Sequence, residues 1–232
     1  MAILNYQPPT SPYIKIVYRD EDILLLDKPS GLLTVPGKAP EHKDSLQYRV
    51  QRVFPTATIV HRLDMATSGL LLMPLNRQSH KVLGQQFEKR LINKQYLARV
   101  AGVPAQPAGR VDLPLICDWP NRPKQKVDMA GGKSAQTDWQ CLHSLADESL
   151  MLLKPITGRS HQLRVHMQSL GHTILGDRLY ADEATKAKAP RLQLHATTIE
   201  FAHPSSGEQV KFTSPCPFLS HYNSCQFDFG AL

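Results

Sequence analysis

The segment from His61 to Leu72, HRLDMATSGLLL, constrains this chain more than any other. It sets one carboxylate, Asp64, among Arg62, Thr67, Ser68 and Gly69, and then runs directly into an apolar stretch. A short apolar run bounded by turn residues reads as a buried strand. Asp64 is therefore expected on an irregular segment at the rim of that strand, where a rigid scaffold tends to present chemistry. The same composition also builds an ordinary Asx-turn, because Asp and Ser side chains hydrogen-bond their own backbone. A second segment, far along the chain, tips the balance toward chemistry.

That segment, LKPITGRSHQLRVHMQSLG from Leu153 to Gly171, reads as strand, tight turn and helix. Thr157-Gly158 supplies the turn, Ser160 is placed to cap the helix, and Gly171 suits the left-handed residue that ends it. Leu163, Met167 and Leu170 recur at helical spacing and are expected to face the core. Arg164 sits beside that stripe, where its guanidinium can reach inward. From Ser149 to Gly176 there is no Asp or Glu, yet Lys154, Arg159, Arg164 and three histidines are present. A segment of one sign needs an anionic partner, either a carboxylate elsewhere in the fold or a phosphate. Pairing Arg164 with Asp64, and the remaining cations with RNA, meets both demands.

Charge and cysteine usage bound the rest. A formal net charge of +7 suits a polyanionic partner, although many basic proteins bind no nucleic acid. Cys117, Cys141, Cys216 and Cys225 show no C-x-x-C spacing, and the N-terminal residues lack a charged region followed by an apolar one. A cytoplasmic protein with reduced thiols and no membrane contact is expected. No apolar run approaches the roughly 20 residues that span a bilayer.

Patterning predicts strands from Tyr13, from Ile23, at Thr58–Val60, Leu70–Met73, Gln95–Val100, Ala135–Cys141, Leu150–Leu153, Leu192–Phe201 and Val210–Phe212. Helices are predicted over Ser45–Val53, stopping before Pro55, and over about Arg77–Lys89, with Val82, Leu83 and Phe87 on one face. Strands outnumber helices without regular βαβ alternation, so the class is α+β with a mixed, mainly antiparallel sheet. The organisation expected is an N-terminal extension over residues 1–12, one catalytic domain over 13–215, and a C-terminal tail over 216–232 with no assigned role.

HRLD-x-x-TSG-L-L-L, followed by KQYLARV (Lys94 to Val100), TGRSHQLRVHM (Thr157 to Met167), LGD-x-LY (Leu175 to Tyr180) and LHA (Leu194 to Ala196), resembles the RluA-type pseudouridine synthases. The resemblance covers about Tyr13 to about Pro215. Val111 to Lys126 and the short N-terminus resemble the branch that modifies both large-subunit ribosomal RNA and the anticodon stem-loop of tRNA. The resemblance implies the pseudouridine synthase fold, a long bent sheet with flanking helices and a catalytic cleft across its middle. With so few residues ahead of the first strand, no S4-type RNA-binding domain is expected.

Uridine isomerisation breaks the N1–C1′ bond, turns the base, and joins C5 to C1′ with no gain or loss of atoms, so no cofactor is called for. A carboxylate serves either as nucleophile or as a base that removes a sugar proton, and Asp64 is the candidate. Burial alone would raise its pKa, and Arg164 is assigned to oppose that. Tyr96 matches the family's active-site tyrosine, able to stack on uracil and relay a proton, although an ordinary strand aromatic fits the same position. Leu194 falls where the family packs an apolar residue on the base. A base within a stem or loop must be flipped out at a cost of a few kcal/mol.

Arg62 is a candidate for the unstacked neighbours or a flanking phosphate, or for a salt bridge that braces the loop. Arg159, Lys124 and Lys126, with Lys89, Arg90, Lys94 and Arg122, are candidates for the RNA backbone. His161 and His166 lie five apart with no accompanying carboxylate, which argues against metal. His61 is expected to brace the loop. The partners expected are ribosomal RNA and tRNA stem-loops, with the protein a monomer that has no obligatory protein partner. Two other classes remain open: a non-catalytic RNA-binding module, and a hydrolase that cleaves the glycosidic bond. A hydrolase normally needs a second carboxylate, and none stands in sequence near the HRLD or TGRSHQLRVH segments.

Overall fold

The structure, a computed structural model, describes residues 6–222. In chain order its strands are β1 (Ile16–Arg19), β2 (Ile23–Lys28), β3 (Ser68–Pro74), β4 (Asn93–Ala101), β5 (Ala108–Asp112), β6 (Leu115–Cys117), β7 (Gln125–Val127), β8 (Gln136–Ser144), β9 (Glu148–Pro155), β10 (Leu194–Ala202) and β11 (Gln209–Thr213). The helices are α1 (Leu46–Gln51), α2 (Arg77–Glu88), α3 (Gln162–Ser169) and α4 (Glu183–Ala187). One sheet runs β1-β2-β3-β10-β4-β9-β8-β5, with β11 added to β10, and β6–β7 form a separate hairpin. Only β3 and β10 pair in parallel; the other ladders are antiparallel. The expected α+β class with a mixed, mainly antiparallel sheet is what the chain adopts.

Period-two alternation divides the core between the two faces of the sheet. On one face Leu24, Leu26, Leu71 and Met73 meet Leu46 and Val50 of α1, while Ala98, Val100, Met151, Leu153 and Leu194 meet Leu163 and Met167 of α3. Tyr96 touches both groups and marks the seam between them. On the other face Ile23, Leu25, Leu70 and Leu72 pack on Leu83 of α2, and Leu97, Leu150 and Leu152 pack on Cys216, Phe218 and Tyr222. Each fully buried Leu, Ile, Val, Phe or Met among them contributes roughly 1.5–3 kcal/mol by burial. Residues 216–222 are thus packed against β4 and β9; Cys225 and the remainder of the expected tail lie outside the described residues.

Gly69 is what lets β3 and β10 meet. It sits at φ +111°, and a Cβ there would collide with the backbone of Ala196, so only glycine permits the approach. The central strands β3, β10 and β4 lie side by side as a result, and their ends carry the candidate site.

Three local expectations are corrected. Thr58–Val60 is not a strand: β10 pairs with β3 only at Ser68 and Gly69, and the edge beyond is met by single contacts, Thr58 N–H on Pro74 O at 3.0 Å and Leu72 N–H on the His61 ring at 2.9 Å, rather than by a ladder. The first strand starts at Ile16 rather than Tyr13, whose carbonyl is taken by Arg49 at 3.1 Å. Ser160 does not cap α3, because His161 holds the N-cap position in the left-handed conformation, φ 53°. The turn before it is closed by Gln162, whose Oε1 accepts from Thr157 Oγ1 at 2.7 Å and from Arg159 N–H at 3.0 Å. Gly171, by contrast, takes the positive φ expected of it.

Candidate active site

Residues 61–67 are held as a loop by its own His61 and by side chains reaching in from residues 28–34. His61 Nε2 accepts from Leu72 N–H at 2.9 Å and its ring stacks on Phe87, with centroids 4.7 Å apart. Burial, and secondarily the charge of Lys94, lowers the pKa of His61 to about 3, so the ring is a neutral brace. Thr34 Oγ1 donates to Leu63 O at 2.7 Å and accepts from Leu63 N–H at 3.2 Å. Ser30 Oγ donates to Ala66 O at 2.7 Å. Lys28, fully buried, donates to the carbonyls of Pro29, Leu32 and Met65 at 2.9, 2.7 and 3.1 Å. Burial drives its pKa down to about 7, against the upward pull of Asp64.

Asp64, partly buried in this frame, has two oxygens in unequal surroundings. Oδ2 receives Arg164 Nη1 at 3.3 Å and lies 3.9 Å from His161 Nε2. Oδ1 has no hydrogen-bond partner among the described residues, and Asp64 is one of the residues that line an open cleft of about 1520 Å³. The pairing of Arg164 with Asp64 expected from sequence is present, but it is the weaker half of a larger arrangement. Asp177, fully buried, grips Arg164 at both ends, Nε–Oδ2 and Nη2–Oδ1 each 2.7 Å. Asp177 Oδ1 also accepts from Leu179 N–H at 2.9 Å and Tyr180 N–H at 3.2 Å. Burial opposes the charge of Arg164, yet Asp177 first and Asp64 second raise its pKa overall.

Asp177 therefore corrects the inference that no second carboxylate stands near the site. Its oxygens are committed to Arg164 and to backbone N–H groups, which suits it to orient a guanidinium rather than to protonate a leaving group. It is also the residue the sequence stopped just short of: the acid-free stretch ends at Gly176, and Asp177 follows in the LGD-x-LY motif.

The cleft brings together Asp64, Tyr96, Arg164, Leu194, Arg62 and Arg159. Tyr96 lies on the core seam with its pKa raised well above the ordinary range, first by burial and then by Asp64, so its hydroxyl keeps its proton. Leu194 is 3 % exposed and belongs at once to the core and to the cleft wall. Arg62 is exposed on the rim, and no ion pair among the described residues engages it, so the bracing salt bridge considered for it is absent there. Arg159 Nε donates to Ser134 O at 3.0 Å, and its outer nitrogens have no hydrogen-bond partner among the described residues.

Lys124 and Lys126 do not line the cleft; Gln125 between them does. On the β7 strand successive side chains alternate, and Gln125 and Val127 take the inward face. Arg122, Lys94 and Arg90 reach the cleft instead. Sequence reasoning also passed over Arg191, a half-buried cleft residue whose Nη1 donates to Ser68 Oγ at 3.3 Å and Leu192 O at 3.0 Å. Among the described residues no group of three or more His, Cys, Asp or Glu is arranged to hold a metal ion. No helix there is long and apolar enough to cross a membrane.

A strand-borne tyrosine and a loop aspartate facing an arginine clamp across a cleft over the sheet centre define a class. The RNA pseudouridylate synthase family model matches residues 22–169, and the chain belongs to that family. Over 219 residues, 94% of this chain and 100% of the relative, it is 53% identical to the dual-specificity RNA pseudouridine synthase RluA of Escherichia coli K12. It is 48% identical over 234 residues to the protein of the same name from Vibrio parahaemolyticus, covering 99% of this chain and 94% of that one. Among solved structures it resembles human RNA pseudouridylate synthase domain containing 1, with a TM-score of 0.76 and 29% identity over 94% of this chain and 90% of that one.

Proposed function

We propose that this protein isomerises specific uridines to pseudouridine in both large-subunit ribosomal RNA and the anticodon stem-loop of tRNA. It acts in the cytoplasm, as a monomer, with no cofactor and no obligatory protein partner. The observation that carries the reading is the asymmetry of Asp64: Oδ2 is held by Arg164, while Oδ1 has no partner among the described residues, in a cleft that Asp64 shares with Tyr96 and Leu194. Two RNA classes are supported by near full-length similarity to relatives named as dual-specificity enzymes.

A flipped uridine enters between Tyr96 and Leu194, bringing C1′ toward Asp64 Oδ1. The carboxylate then acts as nucleophile or removes a sugar proton while N1–C1′ breaks. Arg164 stands against it in a site from which the base has displaced water, where a fixed guanidinium acts more strongly than in bulk solvent. The freed uracil turns within the apolar walls and C5 bonds to C1′ as the Asp64–C1′ bond breaks or Asp64 returns the sugar proton; the proton leaving C5 ends on N1, with the Tyr96 hydroxyl and cleft water as carriers. Arg62, Arg159 and Arg191 on the rim meet phosphates, with Lys124 and Lys126 flanking the hairpin edge for more distant backbone.

Incubating the purified protein with transcripts of each RNA class and quantifying pseudouridine tests this. Product in both is expected; product in one alone reduces the reading to a single-substrate enzyme. Release of free uracil favours the hydrolase, and binding without product the non-catalytic module. Sedimentation is expected to give one species at the 26.0 kDa mass of one chain.

A further inference from the structure

His161 has no part in the chemistry so far, yet it lies between Asp64 and the hairpin. Its ring sits in the cleft wall because the left-handed backbone at φ 53° turns it away from α3. Nδ1 is 2.7 Å from Tyr180 Oη, and the backbone N–H of Gln125 in β7 donates to that same oxygen at 2.7 Å.

The direction of these bonds follows from what each group can do. A backbone N–H only donates, so Tyr180 Oη accepts from Gln125. The hydroxyl proton then needs an acceptor, and His161 Nδ1 is the one within reach. Were Nδ1 itself protonated, two donors would converge on Oη and the buried hydroxyl proton would have no partner. Burial pushes the Tyr180 pKa up to about 12, so this proton is present at neutral pH. Burial also lowers the His161 pKa, against the pull of Asp64, so the ring carries a single proton. With Nδ1 accepting, that proton belongs on Nε2, the nitrogen 3.9 Å from Asp64 Oδ2.

We propose that His161 is a positioning residue for Asp64: its Nε2–H closes onto Oδ2 when substrate is bound, and its tautomer is set by Tyr180 and, through it, by the hairpin backbone at Gln125. The inference rests on the reading of Asp64 as the reacting carboxylate. Catalytic hydrogen bonds are commonly long in the free enzyme and tighten in the complex. Two donors on Oδ2, Arg164 and His161, fix the carboxylate plane and leave Oδ1 directed at the sugar. Because Gln125 belongs to the hairpin that carries Lys124 and Lys126, a hairpin displaced from its seat would release the tautomer and loosen Asp64.

The test combines a spectroscopic and a kinetic readout. Ring 15N shifts of histidine-labelled wild-type protein, with His161 assigned by its loss in His161→Gln, are expected to show Nε2 protonated. Tyr180→Phe is expected to yield a tautomer mixture. In steady-state reactions with an RNA stem-loop, His161→Ala should lower kcat by about tenfold to a hundredfold, the size of one hydrogen bond to a charged group. KM should stay within about threefold, and His161→Gln, which restores a donor near the Nε2 position, should recover most of the rate. Nδ1 protonated in the wild type, or wild-type kcat in His161→Ala, overturns the proposal. The wild-type spectrum reads out even where a variant fails to fold. An active Asp64→Asn control would instead overturn the Asp64 reading, so the two failures are distinguishable.

Discussion

Two guanidiniums stand on either side of Asp64 and live under opposite conditions. Arg164, on the floor of the cleft, is 4 % exposed and locked between Asp177 and Asp64. Arg62, two residues from Asp64 on the rim, is exposed with no carboxylate partner among the described residues. Position in the fold, rather than residue type, decides whether a cation serves the protein's own carboxylates or remains available to a polyanion.

Asp64→Asn separates floor from rim most sharply. Turnover is expected to fall below detection while RNA affinity changes by less than about tenfold, roughly 1.4 kcal/mol, since the rim is untouched. Equal losses of both, measured by product formation and by filter binding, would show that floor and rim are not separable.

Asp177→Ala comes next. It leaves a buried Arg164 with the 3.3 Å contact to Asp64 as its remaining ion pair among the described residues, at an expected cost of about 3–5 kcal/mol in chemical unfolding. A loss below about 1 kcal/mol would mean that the clamp is not what holds Arg164.

Acid should act on the floor as well. His61 is held neutral with a pKa of about 3, and burial likewise lowers those of His161, His166 and His195. The unfolded chain binds protons below its ordinary histidine pKa of about 6.5 that the fold refuses, so unfolding free energy should drop as pH falls from about 6.5 toward 3. His61→Gln, which keeps an acceptor for Leu72 N–H without a titrating ring, should flatten that slope. An unchanged slope would remove His61 from the account.

On the rim the expected effects are smaller and salt-dependent. Arg62→Ala should reduce the slope of log affinity against log salt by about 0.7 to 0.9 if its partner is a phosphate. An unchanged slope with weaker binding would point to stacking on an unpaired base instead.

How much of this was legible in the sequence follows the same division. Asp64, Arg164, the α3 stripe and the β2, β3, β4, β9 and β10 strands announce themselves through local pattern. Asp177 did not, because a buried carboxylate in a turn shows its partner only once the turn places it beneath α3. The His161–Tyr180–Gln125 chain joins three elements, and its N-cap histidine displaced the serine that helix-capping rules favour. That Gln125 rather than Lys124 or Lys126 joins the cleft wall was not legible either, because only a strand at β7 brings the alternation that separates them.

The most direct test of the central claim is a crystal structure of the Asp64→Asn variant with an RNA stem-loop carrying a target uridine. The account expects the uracil flipped between Tyr96 and Leu194, its C1′ next to side chain 64, and Arg164 still clamped by Asp177. A target base left stacked in the RNA, or seated away from side chain 64 with Arg164 turned toward a phosphate, would contradict it.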